Sequence, residues 1–84
     1  VVTAHYDHVG VGRPVNGDSI HNGADDNASG TSALLAVARE LAARPPLHDV
    51  ILVAFDGEES GLLGARAFVA APPVPRASIA ANVN

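Results

Sequence analysis

Val50-Ile51-Leu52-Val53-Ala54-Phe55 is an uninterrupted apolar run, and Asp56-Gly57-Glu58-Glu59 follows it directly. The run holds β-branched residues and has a helical pattern on each side. That combination suits a strand buried on both faces of a parallel sheet. The acids then stand just past the strand's carboxyl end, where open α/β sheets carry their functional groups.

The flanking segments read outward in the order strand, loop, helix, strand, helix, strand. Val1 to Tyr6 is the first strand. Residues from about Val9 to Gly23 form a polar loop broken by Gly10, Gly12, Pro14, Asn16 and Gly17. Ser29 or Asn27 caps a helix running to about Arg44, with Leu34, Val37, Ala38, Leu41 and Ala42 at helical spacing. Pro45-Pro46 ends it. Ser60 caps a second helix carrying Leu62, Leu63, Ala67, Phe68 and Val69, which Pro72, Pro73 and Pro75 close. A last strand runs from Ile79 to Asn84. The alternation predicts an α/β class, with right-handed crossovers and a mostly parallel or mixed central sheet. Val1 and Asn84 both lie inside strand patterns, so the expectation is an internal piece, residues 1–84, of a longer domain truncated at both ends.

Bulk composition excludes several functions. The chain has 84 residues, a formal charge of −4, five Arg and no Lys, and three aromatic residues. No basic stripe offers itself to nucleic acid. No apolar run approaches the roughly 20 residues of a membrane span. There is no Cys, so a metal must be held by oxygen and imidazole.

Six of the nine acids fall in three short segments: His5-Tyr6-Asp7-His8, Gly23-Ala24-Asp25-Asp26-Asn27-Ala28-Ser29-Gly30, and Asp56-Gly57-Glu58-Glu59. Gathering them costs free energy unless a cation is shared, so the pattern points to a metal site. In the first segment His5 can be a ligand and Asp7 can orient its ring. The ordinary alternative is a strand-end His beside a solvated Asp. In the second, Asp26 is either a ligand or part of an N-cap cluster that favours the helix dipole. A calcium loop starting at Asp25 fails, because its twelfth position is Ala36, where a bidentate acid is required. In the third, one glutamate can bind metal while its neighbour moves a proton; both could instead be acids of a first helical turn. His8 is near the site and reads as lining it. His21 and His48 read as solvated loop residues.

The three segments in this order and spacing, with Ser60-Gly61-Leu62-Leu63-Gly64 completing the third, resemble the M28 family of zinc peptidases from about Ala4 to Asn84. The resemblance implies a three-layer α/β/α fold with helices on both faces of the sheet. It also implies two zinc ions per complete catalytic domain and a peptide substrate. His5 matches a zinc ligand, Asp26 the carboxylate bridging both ions, Glu59 a ligand of the other ion, Glu58 the general acid/base and Asp7 the acid supporting the histidine. A cis peptide is implied at Asp26–Asn27. Two further ligands of the family, an Asp just past the last strand and a later His, have no counterpart within the 84 residues. Aminopeptidase activity is the expectation, with a secreted or periplasmic setting suggested by the resemblance alone. A single-zinc glutaminyl cyclase-like transferase and a non-catalytic binding domain on the same fold are the competing readings.

Overall fold

The computed structural model describes all 84 residues. In chain order the elements are β1 (Val2–His5), β2 (Gly10–Val15), β3 (Asp18–His21), a wide helical turn at Ala24–Ala28, α1 (Ser29–Ala43), β4 (Leu52–Phe55), α2 (Leu63–Ala70) and a 3₁₀ turn at Arg76–Ser78. The molecule is mixed α/β.

β1 and β4 pair in parallel, with Val2 opposite Leu52 and His5 opposite Phe55. The register brings the two strand ends level. It therefore sets His5 and Asp7 beside Glu58 and Glu59, although 51 residues separate Asp7 from Glu58 in sequence. On the far side of β1, Val83 bridges Val2 in parallel. Thr3 N–H donates to the Val83 carbonyl at 2.9 Å, and Val83 N–H to that of Val1 at 3.0 Å.

Strand alternation assigns the faces. Thr3 and Phe55 line one cavity together with Ala65 and Phe68 of α2. Phe55 and Phe68 meet edge to face, their ring centroids 5.8 Å apart. Ala4 has the opposite parity and is buried, as is Leu34 of α1. Because α2 occupies the other face, α1 is the helix that covers Ala4. Thr31 ties this helix to the site by donating its hydroxyl to the His5 carbonyl at 2.9 Å.

Four local expectations are corrected. The segment read as a polar loop from Val9 to Gly23 is largely the antiparallel hairpin β2–β3. Its two-residue loop is Asn16-Gly17, with φ of 53° and 87°. Two positive φ values make the tight turn whose twist matches paired strands, and Asn-Gly is its strongest sequence signal. Those residues break a helix but make a hairpin. Pairing is irregular between Val11 and Val15, where Pro14 has no N–H to give.

Ser60 does not cap α2. It lies within a turn in which the Gly61 and Leu62 N–H groups both donate to the Glu58 carbonyl. The helix begins only after Leu62, whose φ is 61°, and has no side-chain cap. The expected strand at Ile79–Asn84 is reduced to the single Val83 bridge, with the Val1 ammonium donating to the Ala81 carbonyl at 2.9 Å beside it. Finally, β4 is not buried on both faces: Leu52, Val53 and Phe55 are half-buried and Ala54 is exposed. It is an edge strand with one neighbour.

The first helix runs as expected. Of its two candidate caps, Asn27 does the capping: its Oδ1 accepts the Gly30 N–H at 2.9 Å. A Cβ on Gly30 would collide with that oxygen, so a side chain there would push Asn27 out of its cap. Ser29 instead donates its hydroxyl to the Asp25 carbonyl at 2.7 Å.

The plate is flat, 50 × 30 × 14 Å. Its radius of gyration is 15.3 Å, against about 12 Å for a compact chain of this length. Leu35, Leu47, Leu62 and Leu63 are exposed. No helix is long and apolar enough to cross a membrane.

Candidate metal centre

All five residues singled out from the sequence lie at one edge of the sheet. His5 is the last residue of β1, and its side chain is 12% exposed. Its Nδ1 donates to the main-chain carbonyl of Asp7 at 3.1 Å. That fixes the ring and leaves Nε2 facing Asp26 Oδ1 at 3.0 Å. In the neutral ring both facing atoms are acceptors, so a proton or a metal ion must lie between or beside them. Burial of the His5 ring favours its neutral form. The Asp7 carbonyl and the Glu58, Asp26 and Asp7 carboxylates outweigh that and hold its pKa above the ordinary imidazole value.

Asp7 supports His5 differently from the expectation. Its carboxylate stands 3.6 Å from His5 Nδ1, while its carbonyl takes the hydrogen bond. The carboxylate is used elsewhere: Oδ1 accepts the Glu58 N–H at 3.0 Å and Oδ2 the Glu59 N–H at 3.1 Å. Burial would raise the Asp7 pKa. The donors from Glu58, Glu59 and its own main chain, together with His5, pull it below the usual carboxylate range. Asp7 is thus the clasp between the ends of β1 and β4.

Asp26 sits in the wide turn before α1, where its own dihedrals (φ −117°, ψ 87°) and those of Asn27 leave the helical region. The Asp26–Asn27 peptide bond is cis, as the resemblance implied. Gly23 opens this turn with φ of 64°; a Cβ there would lie 2.9 Å from the Asp26 carbonyl. Gly57 (φ 68°) and Gly61 (φ 97°) turn the chain around Glu58 and Glu59 on the other side. Glu58 lines a cavity of about 380 Å³ with Thr3, His5, Asn27 and Phe55.

Ligating atoms of His8, Asp26 and Glu59 lie within 4.8 Å of one another. Asp26 therefore faces His5 and also belongs with His8 and Glu59. His8 is the residue that sequence reasoning under-read: its Nδ1 lies 2.8 Å from Glu59 Oε1. No local pattern announces that contact, because its two ends are 51 residues apart. His21, read as solvated, is half-buried; its ring meets that of His8 edge-on at 6.3 Å, and its Nε2 donates to the Arg13 carbonyl at 3.2 Å. His48 is exposed, as expected.

These features define a mixed α/β chain with a candidate oxygen-and-imidazole metal centre at the ends of its parallel strands. The description Peptidase family M28 matches residues 1–84, and the chain belongs to that family. Aminopeptidase YwaD of Bacillus subtilis (strain 168) is 43% identical over 68 residues, which are 81% of this chain and 13% of that protein. A probable zinc metalloprotease of Leptosphaeria maculans is 46% identical over 65 residues, 77% of this chain and 15% of that protein. Another, of Pyrenophora tritici-repentis, is 45% identical over 64 residues, 76% of this chain and 13% of that protein. The chain thus spans a small part of the length of the curated relatives it matches. No solved structure gives a significant match.

Proposed function

We propose that residues 1–84 form part of the catalytic domain of a zinc-dependent exopeptidase, an aminopeptidase, that holds two zinc ions when complete. The observation carrying this reading is the convergence of His5, Asp26, Glu58 and Glu59 on one sheet edge, with Asp26 shared between His5 and the His8–Glu59 pair. The names of the relatives support zinc and peptide hydrolysis. The flat shape and exposed leucines suit a chain that packs against further residues of a longer protein, which also supply the remaining ligands and the substrate pocket.

The donor set fits the metal. It is made of carboxylate oxygen and imidazole nitrogen, it includes no thiolate, and His5 offers a ring whose other nitrogen is already fixed by a carbonyl. In this reading His5 and Glu59 would each hold one ion and Asp26 would hold both. Bound zinc supplies Lewis acidity to the peptide carbonyl and to water. Glu58 does the proton work: it takes a proton from the attacking water and returns one to the leaving amine. Its place beside the cavity with His5 supports that role, and its main-chain N–H is held by the Asp7 carboxylate. Asp7 keeps the His5 ring and the Glu58–Glu59 turn in mutual register.

The test uses the full-length protein loaded with zinc. It should release the N-terminal residue of short peptides, and N-acetylation of the peptide should stop the release. Glu58→Ala should lower turnover by roughly 10²–10⁴-fold while keeping the metal. Asp26→Ala should lose metal. A protein that binds zinc yet cleaves no aminoacyl or peptidyl substrate would end this reading. One zinc per chain with cyclisation of N-terminal Gln would replace it with the transferase.

A further inference from the structure

We infer that His8 is a positioning residue: it donates Nδ1–H to Glu59 and so aims that carboxylate at the metal, without being a ligand itself. The inference rests on the reading of Glu59 as a zinc ligand and deepens it.

Two imidazole–carboxylate contacts occur at this sheet edge, and they are not alike. At His5, Nδ1 is already committed to the Asp7 carbonyl, so the nitrogen facing Asp26 carries no proton in the neutral ring. At His8, Nδ1 has one hydrogen-bond partner, Glu59 Oε1 at 2.8 Å. An ionised carboxylate only accepts, so the hydrogen is on His8 Nδ1. Nδ1, bearing that hydrogen, cannot ligate, and the one lone pair of the neutral ring is then on Nε2, which points away from the Nδ1–Glu59 contact and so away from an ion that Glu59 would hold. His5 therefore presents a lone pair to its carboxylate, and His8 presents a donor. A donor to one carboxylate oxygen fixes the rotation of the group and directs its other oxygen, which is how partners outside the ligand set tune a metal.

The ring of His8 is held from independent directions. The edge of His21, at the end of the β2–β3 hairpin, meets it at 62°. Gly23 lies against its other atoms: a Cβ on Gly23 would be 2.9 Å from His8 Cγ and 3.0 Å from its Cβ. The same glycine opens the turn that carries Asp26. His8 thus connects three separate segments: the hairpin, the Asp26 turn and the Glu59 turn. This gives the hairpin a role in the centre that its exposed strand β2 does not otherwise suggest.

The test is zinc affinity and coordination in the full-length protein. His8→Ala should speed loss of one zinc to a chelator by about 10–100-fold. The number of imidazoles around zinc, read by X-ray absorption, should stay unchanged. His8→Asn, whose amide can donate from nearly the place of Nδ1, should recover most of the lost retention. Unchanged zinc release in His8→Ala overturns the inference. So does an imidazole count lowered in both variants, which would make His8 a ligand. Glu59→Ala separates the two levels. If it loses zinc while His8→Ala does not, only the role of His8 falls. If Glu59→Ala retains all its zinc, the ligand assignment falls, and the role of His8 with it.

Discussion

The Asp7 carboxylate at the end of β1 accepts the Glu58 N–H through Oδ1 at 3.0 Å, joining residues 51 positions apart. Its second oxygen takes the Glu59 N–H at 3.1 Å. One side chain thus fixes the main chain of both glutamates, while its carbonyl fixes His5. Asparagine cannot repeat this, because its amide would set a donor against one of the two N–H groups. Asp7→Asn should therefore expose the turn: amide exchange at Glu58 or Glu59 should quicken by about tenfold. Turnover should fall although Glu58 itself is intact. Unchanged exchange at both amides would show that the clasp does not hold the turn.

Gly64 lies in the first turn of α2, directly against the end of β4. A Cβ there would lie 2.7 Å from the Asp56 carbonyl oxygen and 3.0 Å from the Asp56 nitrogen. Both are main-chain atoms that cannot swing aside. Gly64→Ala should cost roughly 1–3 kcal/mol by forcing the helix away from the strand. Equilibrium unfolding in urea measures this, and a midpoint equal to that of the parent would refute the close packing.

Gly17 has φ of 87° and open space around it, so substitution there is strained by the backbone alone. Gly17→Ala should destabilise the hairpin by about 1–2 kcal/mol. The loss should appear as faster amide exchange along Gly10–Val15 and Asp18–His21, with little change in α1. Slowing or no change in the hairpin would argue that the Asn16-Gly17 turn is not what pairs these strands.

Removing metal from the full-length protein should lower its thermal midpoint, and restored zinc should bring it back. Binding to the folded state alone contributes about 4 kcal/mol when free ligand is a thousandfold above its dissociation constant. Without a cation, the Asp26 and Glu59 carboxylates stand close together with less compensation. Identical midpoints with chelator and with zinc would mean that the centre adds nothing to stability.

Much of this molecule was legible locally. Helix α1 follows from apolar residues at helical spacing and ends before Pro45-Pro46, because backbone periodicity and proline chemistry act within a few residues. The strand ending at Phe55 follows from its apolar run. The acids after it were readable as a site because strand ends in parallel sheets share one edge. Asn16-Gly17 is equally local: as a pair of helix breakers it reads as an interruption, yet its positive φ values make a connection. Ser60 reads as a cap but is none, because a turn closed by the Glu58 carbonyl takes up the residues up to Leu62.

By itself, then, the sequence determined which residue types gather into the candidate metal-binding segments, which strand and helix carry them, and the family to which the chain belongs. Only the tertiary structure decided who meets whom. The β1–β4 register sets Asp7 under two amide donors, leaves His5 facing Asp26 and puts His8 on Glu59. Periodicity and capping act over a few neighbouring residues and can be read in order along the chain. A hydrogen bond between residues 51 apart depends on chain reversal, register and a glycine that leaves room for a ring, and no short stretch of sequence specifies these three together.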